Sequence, residues 1–225
     1  MKINVDIVVM DYDRTVANED LGFKIDEEVK KILLRIPQRT ILATGRIFED
    51  IPDRDVVRLF DVLVVENGTI LILDDGKKRE VLVGEAWLEK KRRVLEALRE
   101  EGIDFNHGEV IIFGDRRDSK VLENALRKHD LLKEVFIDFN KDGYMILPLG
   151  WNKGKGVKFA VDKLGGGRVM CIGDEFNDIP LFEGANIRVA VGNAVPELKK
   201  MADIVCDEDN GRGVIEVLTN LVGVE

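Results

Sequence analysis

Short apolar runs recur along the chain, and most of them end on a polar residue. Residues 3–10 are dominated by Ile, Val and Met and run into Asp11. Residues 40–43 run into Thr44-Gly45-Arg46, residues 62–65 into Glu66-Asn67-Gly68, and residues 168–172 into Gly173-Asp174. Runs this short and this rich in β-branched residues predict buried strands. Helical spacing separates them. Asp26 is placed to cap a helix over 27–36, with Val29, Ile32, Leu33 and Ile36 on one face, and Pro37 stops it. A second helix is expected over 155–164, after Pro148-Leu149-Gly150 breaks the preceding pattern. Short strands at 189–191 and 204–205 and a helix near 213–222 close the chain.

The middle reads differently. Residues 69–73 and 79–83 flank Asp74-Asp75-Gly76-Lys77, which predicts a hairpin. A long helical pattern over 85–101 carries Trp87, Leu88, Val94, Leu95 and Leu98 on one stripe, with Gly102 at its end. A strand near 109–113, a helix near 119–129 and strands near 134–139 and 144–147 follow, the last two joined by a turn at Asn140-Lys141-Asp142-Gly143. Strand–helix alternation at both ends implies a parallel sheet wrapped by helices. The expected architecture is therefore α/β: a Rossmann-like parallel-sheet core from residues 1–74 and 151–225, with an α+β insert at 75–150.

Composition narrows the function classes. The chain has 225 residues, a net charge of -9 and 45% hydrophobic content, enough for a sizeable core. An acidic chain disfavours a general nucleic-acid or membrane-surface role. No apolar run is long enough for a membrane span, and Asp6 interrupts any signal-like N-terminal segment, so a cytoplasmic location is expected. Cys171 and Cys206 lack metal or redox spacing and read as buried thiols. Only His107 and His129 are present, so acid–base chemistry falls to carboxylates.

Ligands gather at the carboxyl ends of strands in open parallel sheets. Asp11, Asp13, Asp174 and Asp178 all fall at or just past such ends. Clustered carboxylates repel one another unless a cation neutralises them, and Mg²⁺ suits oxygen ligands that leave room for waters and a phosphate oxygen. Thr44 offers a hydroxyl, Gly45 a backbone N–H and Lys153 a point charge for the same phosphate. A carboxylate can itself attack phosphorus, and a second carboxylate two residues on can serve the leaving group and water. Each signal is weak alone. Asp-x-Asp-x-Thr is commonly a solvated loop or helix cap; Gly173 to Asp178, as Gly-Asp-x-x-Asn-Asp, is the most specific of the four.

Taken in order, these segments resemble the haloacid dehalogenase superfamily of phosphohydrolases. Asp11 to Val16, Ala43 to Arg46, Asn152-Lys153-Gly154 and Gly173 to Asp178 resemble its four motifs. Glu66-Asn67-Gly68-Thr69 and Pro148 to Gly154 resemble its Cof-like branch, whose α/β cap is inserted between the second and third motifs. The resemblance implies Asp11 as nucleophile and metal ligand, and Asp13 as acid/base whose carbonyl also binds metal. It implies Thr44, Gly45, Arg46 and Lys153 as substrate-binding residues. Asp174 and Asp178 would be ligands of Mg²⁺, with Asn177 supporting them. It also implies a small phosphorylated metabolite as partner. Archaeal-type phosphoglycolate phosphatases point to 2-phosphoglycolate, and related branches to sugar phosphates or mannosyl-3-phosphoglycerate. A phosphomutase and an inactive phosphate sensor are the rival readings. Monomer and homodimer both stay open.

Two departures from the pattern stand out. Arg14 occupies a position where the family usually has glycine; it is either tolerated there or turned toward the cap as a substrate contact. The lysine motif is doubled, Lys153-Gly154-Lys155-Gly156. The apolar phase behind it favours Lys153, with Lys155 as the alternative. Arg116 and Arg117 either read a substrate carboxylate or are surface charge balanced by Asp115 and Asp118.

Overall fold

The computed structural model describes residues 3–140 and 143–222. The apolar runs form one sheet of eight strands. Ile7–Asp11, Val62–Val65 and Val169–Gly173 are buried along their whole length. Arg39–Ala43 and Ile187–Ala190 are nearly so. This is the signature of strands covered on both faces. Their order is Ile204–Val205, Ile187–Ala190, Val169–Gly173, Ile7–Asp11, Arg39–Ala43, Val62–Val65, Ile70–Leu73, Lys78–Val81. The first six are parallel, and the last two turn back as an antiparallel hairpin.

The strand order reverses at Ile7–Asp11, which lies between Val169–Gly173 and Arg39–Ala43. Register brings Asp11 level with Ala43, and Met10 level with Ile172. The residues after these strands therefore emerge together at one sheet edge, the position where α/β sheets bind ligands.

A second, antiparallel sheet has the order Val135–Phe139, Gly143–Pro148, Ile112–Asp115, Asn106–His107. Helices Glu85–Glu100 and Ser119–Lys128 pack against each other, with Trp87, Val94, Leu98, Leu122 and Leu126 buried. Lys78–Val81 falls beyond the expected core boundary at 74, yet it pairs in the large sheet. Its Lys-Arg-Glu-Val sequence is that of an exposed edge strand, which carries little apolar signal. The expected turn at 140–143 includes Lys141 and Asp142, which lie outside the described residues.

Most element limits follow the sequence pattern. Asp26 caps Glu27–Leu33 by accepting the Glu28 N–H at 2.8 Å. The helix expected over 155–164 starts earlier, at Lys153, because Asn152 caps it through the Lys155 N–H at 2.9 Å. The terminal helix is Asn210–Val217, followed by a π turn over Leu218–Val222. A two-stranded flap, Ala17–Asn18 with Lys24–Ile25, is too short to leave a periodic signal.

Candidate active site

Asp11 ends its strand with only 5% of its surface exposed. Opposite it, Lys153 opens its helix and is 1% exposed. The helix reaches this close because Gly156 sits directly on the backbone of Gly68, where a Cβ would collide. The Lys153 ammonium donates to Asp11 Oδ1 and to Asp178 Oδ1, each at 2.6 Å. The other oxygen of Asp178 accepts the backbone N–H groups of Asp174 at 3.0 Å and Glu175 at 3.1 Å, which folds the 173–178 loop around it. Carboxylate oxygens of Asp11, Asp174 and Asp178 lie within 4.8 Å of one another.

Burial is the main electrostatic fact here. It raises the Asp11 carboxyl well above its usual range, Asp178 adds to the rise, and Lys153 opposes it. Burial and Asp178 push Asp174 up to about 7 against the pull of Arg14. Burial pulls the Lys153 ammonium down, but Asp11 and Asp178 outweigh it and the net shift is upward. The cluster holds three carboxylates with a buried ammonium among them. It is a site short of positive charge.

Asp13 lies past the strand end. Its carboxylate accepts from Arg46 Nε at 2.9 and 3.0 Å and from a terminal nitrogen at 2.7 Å. The Arg46 guanidinium lies over the rings of Phe23, at 4.9 Å, and Tyr12, at 5.8 Å. Thr44 is buried, and its hydroxyl accepts the Arg46 N–H at 3.1 Å. The turn at 66–67 supports this loop from below. Asn67 N–H donates to the Thr44 carbonyl at 3.0 Å, and Glu66 N–H to the Arg46 carbonyl at 2.9 Å.

A cavity of about 350 Å³ opens between the two sheets. Asp11, Asp13, Gly45, Arg46, Asp174 and Asn177 line it, and Phe113, Asn140, Tyr144 and Met145 face them from the smaller sheet and its turn. Thr44, Lys153 and Asp178 lie buried beneath. All nine residues singled out by sequence thus fall around one point. Lys155 does not, since its ammonium sits 4.3 Å from the Trp151 ring centre. Arg117 is paired with Asp115 at 2.6 Å, and Arg116 is spent on the Asn140 carbonyl and the Phe139 ring. Neither lines the cavity. Arg14 does, but its side chain turns back to Glu175, at 2.9 Å, and Asp174, at 3.3 Å.

One important residue, part of a turn and of a stretch resembling the Cof-like branch, carries no site role in the sequence reading. Glu66 is 0% exposed, and its carboxylate accepts the N–H groups of Glu109 at 3.0 Å, Val110 at 2.7 Å and Ile111 at 3.0 Å. The same segment has its carbonyls held from the other side: Lys91 donates to Gly108 and Glu109, and the Trp87 indole to Val110. Gly108 is required, because a Cβ there would meet the Glu66 carboxylate at 2.6 Å. The turn at Glu66-Asn67-Gly68 and the resemblance of Glu66 to Thr69 mark the stretch, but neither announces a carboxylate that receives backbone N–H groups.

Comparison with known proteins agrees with this geometry. The family model described as haloacid dehalogenase-like hydrolase matches residues 47–218. Phosphoglycolate phosphatase 2 of Saccharolobus solfataricus is 33% identical, with 96% of this chain and 92% of that protein covered. A phosphoglycolate phosphatase of Sulfurisphaera tokodaii is 35% identical, covering 96% and 94%. A solved sugar phosphatase of subclass IIB of the superfamily superimposes with a TM-score of 0.76 at 17% identity, covering 96% and 98%, a likeness of fold. The chain belongs to the haloacid dehalogenase-like hydrolases. Within that family it is a phosphatase.

Proposed function

We propose that this phosphatase hydrolyses a small phosphomonoester through Asp11, with 2-phosphoglycolate as substrate. The observation that carries the chemistry is the buried Lys153 bridging Asp11 and Asp178 at 2.6 Å beside Asp174. Lys153, the Thr44 hydroxyl and the Gly45 N–H hold the phosphoryl oxygens. An oxygen of Asp11 forms a bond to phosphorus as the ester P–O bond breaks, and Asp13 gives a proton to the departing alkoxide. Asp13 then takes a proton from water, whose oxygen attacks the phosphorus. The P–O bond to Asp11 breaks, phosphate leaves, and the Asp11 carboxylate is restored.

The donor set fits a hard divalent cation: the oxygens of Asp11, Asp174 and Asp178 lie within 4.8 Å of one another, and positive charge is in deficit. With the Asp13 carbonyl these residues would hold Mg²⁺, which would neutralise charge on the phosphoryl oxygens. Asn177 steadies the loop that carries two of them. Residues 84–148 act as the cap, closing the cavity over the substrate. Relatives at 33% and 35% identity that carry the name phosphoglycolate phosphatase support the substrate. No helix among the described residues is long and apolar enough to cross a membrane, and both thiols are buried and free. We place the reaction in the cytoplasm.

A sugar phosphate is the second reading. Asn140 and Asn177 favour it, because both line the cavity and a side-chain amide can hydrogen-bond a sugar hydroxyl. The test is kcat/KM with Mg²⁺ for 2-phosphoglycolate, several sugar phosphates and p-nitrophenyl phosphate, with D11N as control. Preference for 2-phosphoglycolate is expected. A low rank for it would overturn the substrate, and turnover in D11N equal to wild type would overturn the mechanism.

A further inference from the structure

Resting on the metal reading above, we infer that Arg14 is a tethered counter-cation of the carboxylate cluster, one that a divalent cation must displace from Asp174. The argument begins with the backbone. Arg14 has φ 57, in the left-handed region that a long side chain rarely adopts. Its carbonyl is fixed there by Asn193 Nδ2 at 2.8 Å, and Asn193 is in turn held by the Asn210 N–H at 2.7 Å. The conformation directs the guanidinium inward, where Nε lies 3.3 Å from Asp174 Oδ2 and a terminal nitrogen 2.9 Å from Glu175 Oε2.

The two oxygens of Asp174 are not equivalent. Oδ1 accepts the Thr15 hydroxyl at 3.2 Å, while Oδ2 is the one facing Arg14. A cation drawing on Oδ2 would stand beside a guanidinium held a few ångströms away. Like charges at that separation repel strongly beside a carboxylate only 3% exposed. Arg14 therefore leaves Oδ2 when the metal enters. Glu175 keeps hold of it, and the cavity that Arg14 lines gives it room to turn. Without metal, Arg14 joins Lys153 in offsetting the mutual repulsion of Asp11, Asp174 and Asp178. With metal, its charge weakens binding. The residue thus sets the metal affinity of the site while protecting the empty site.

Mn²⁺ binding to the full chain, followed by electron paramagnetic resonance, tests this directly. Wild type, R14Q, R14K and D174N are compared, with thermal melts of each. Removing the positive charge at position 14 is expected to tighten Mn²⁺ binding about tenfold, the scale of one close charge–charge interaction. R14K stays near wild type. The metal-free Tm of R14Q falls, and its rise on adding Mn²⁺ exceeds that of wild type, as tighter binding to the folded state requires. R14G suits the positive φ and carries the same expectation should R14Q fail to fold. Saturable binding that D174N loses, but that is equal or weaker in folded R14Q or R14G, overturns this inference alone. No saturable binding by wild type overturns the metal reading and this inference with it.

Discussion

Glu66 Oε2 accepts the Val110 N–H at 2.7 Å, across the boundary between the large sheet and the small one. A fully buried carboxylate is costly unless its lone pairs are used, and here three backbone N–H groups use them. The backbone N–H of the same residue supports the Arg46 carbonyl. Glu66 therefore joins the segment 109–111 to the loop that carries Thr44, Gly45 and Arg46. Glu66→Gln replaces one acceptor oxygen by a donor aimed at other donors. We expect it to cost about 2–4 kcal/mol, measured by urea denaturation, and to speed amide exchange at 109–111. Exchange there at the wild-type rate would show that the joint does not depend on Glu66.

Much of this architecture was legible because its strands are buried on both faces. Ile7–Asp11 and Val169–Gly173 leave unbroken apolar runs, and the polar residue at each end marks the sheet edge. Asp11, Asp13, Thr44 and Asp174 were legible for the same reason, and Lys153 by the apolar phase of the helix behind it. What escaped has no local signal. Glu66 meets backbone groups more than forty positions away, and backbone N–H groups carry no residue identity. Lys78–Val81 is an edge strand whose side chains face water, so polarity hid its place in the large sheet. The direction of Arg14 depended on a positive φ that no pattern announces.

The doubled lysine motif gives a clean comparison. Lys153 is buried between two carboxylates, whereas Lys155 sits over an indole ring. Lys153→Met should leave Asp11 and Asp178 uncompensated and lower kcat/KM by at least about a hundredfold. Lys155→Met should change stability by no more than about 0.5 kcal/mol and leave kcat near wild type. Steady-state kinetics of the two variants decide it, and equal losses would mean that the buried ammonium has no special part.

Asp11→Asn keeps the shape of the side chain and removes its nucleophilic charge. Turnover should fall by at least about a thousandfold, while circular dichroism stays native. Acid-quenched wild-type protein should carry phosphate on one peptide, the one containing Asp11, and the variant should carry none. Label on another residue would move the nucleophile elsewhere.

The pH dependence follows from Asp174. Its folded value of about 7, raised by burial and by Asp178, exceeds the ordinary carboxylate value near 4. Between those two values the folded, metal-free protein binds more protons than the unfolded chain. The slope of unfolding free energy with pH is then negative. The stability this group contributes is present in full below about pH 4 and is lost as pH rises through about 7. Metal-free Tm should therefore drop between pH 5 and about 8, and Asp174→Asn should flatten that part of the curve. Saturating Mg²⁺ should oppose the drop, because a cation favours the deprotonated carboxylate, and its stabilising effect should grow over the same interval. Differential scanning calorimetry of both proteins, with and without Mg²⁺, measures all of this. A metal-free Tm that rises across that interval, in wild type but not in Asp174→Asn, would show that Asp174 is already ionised in the empty site and that Arg14 outweighs its burial.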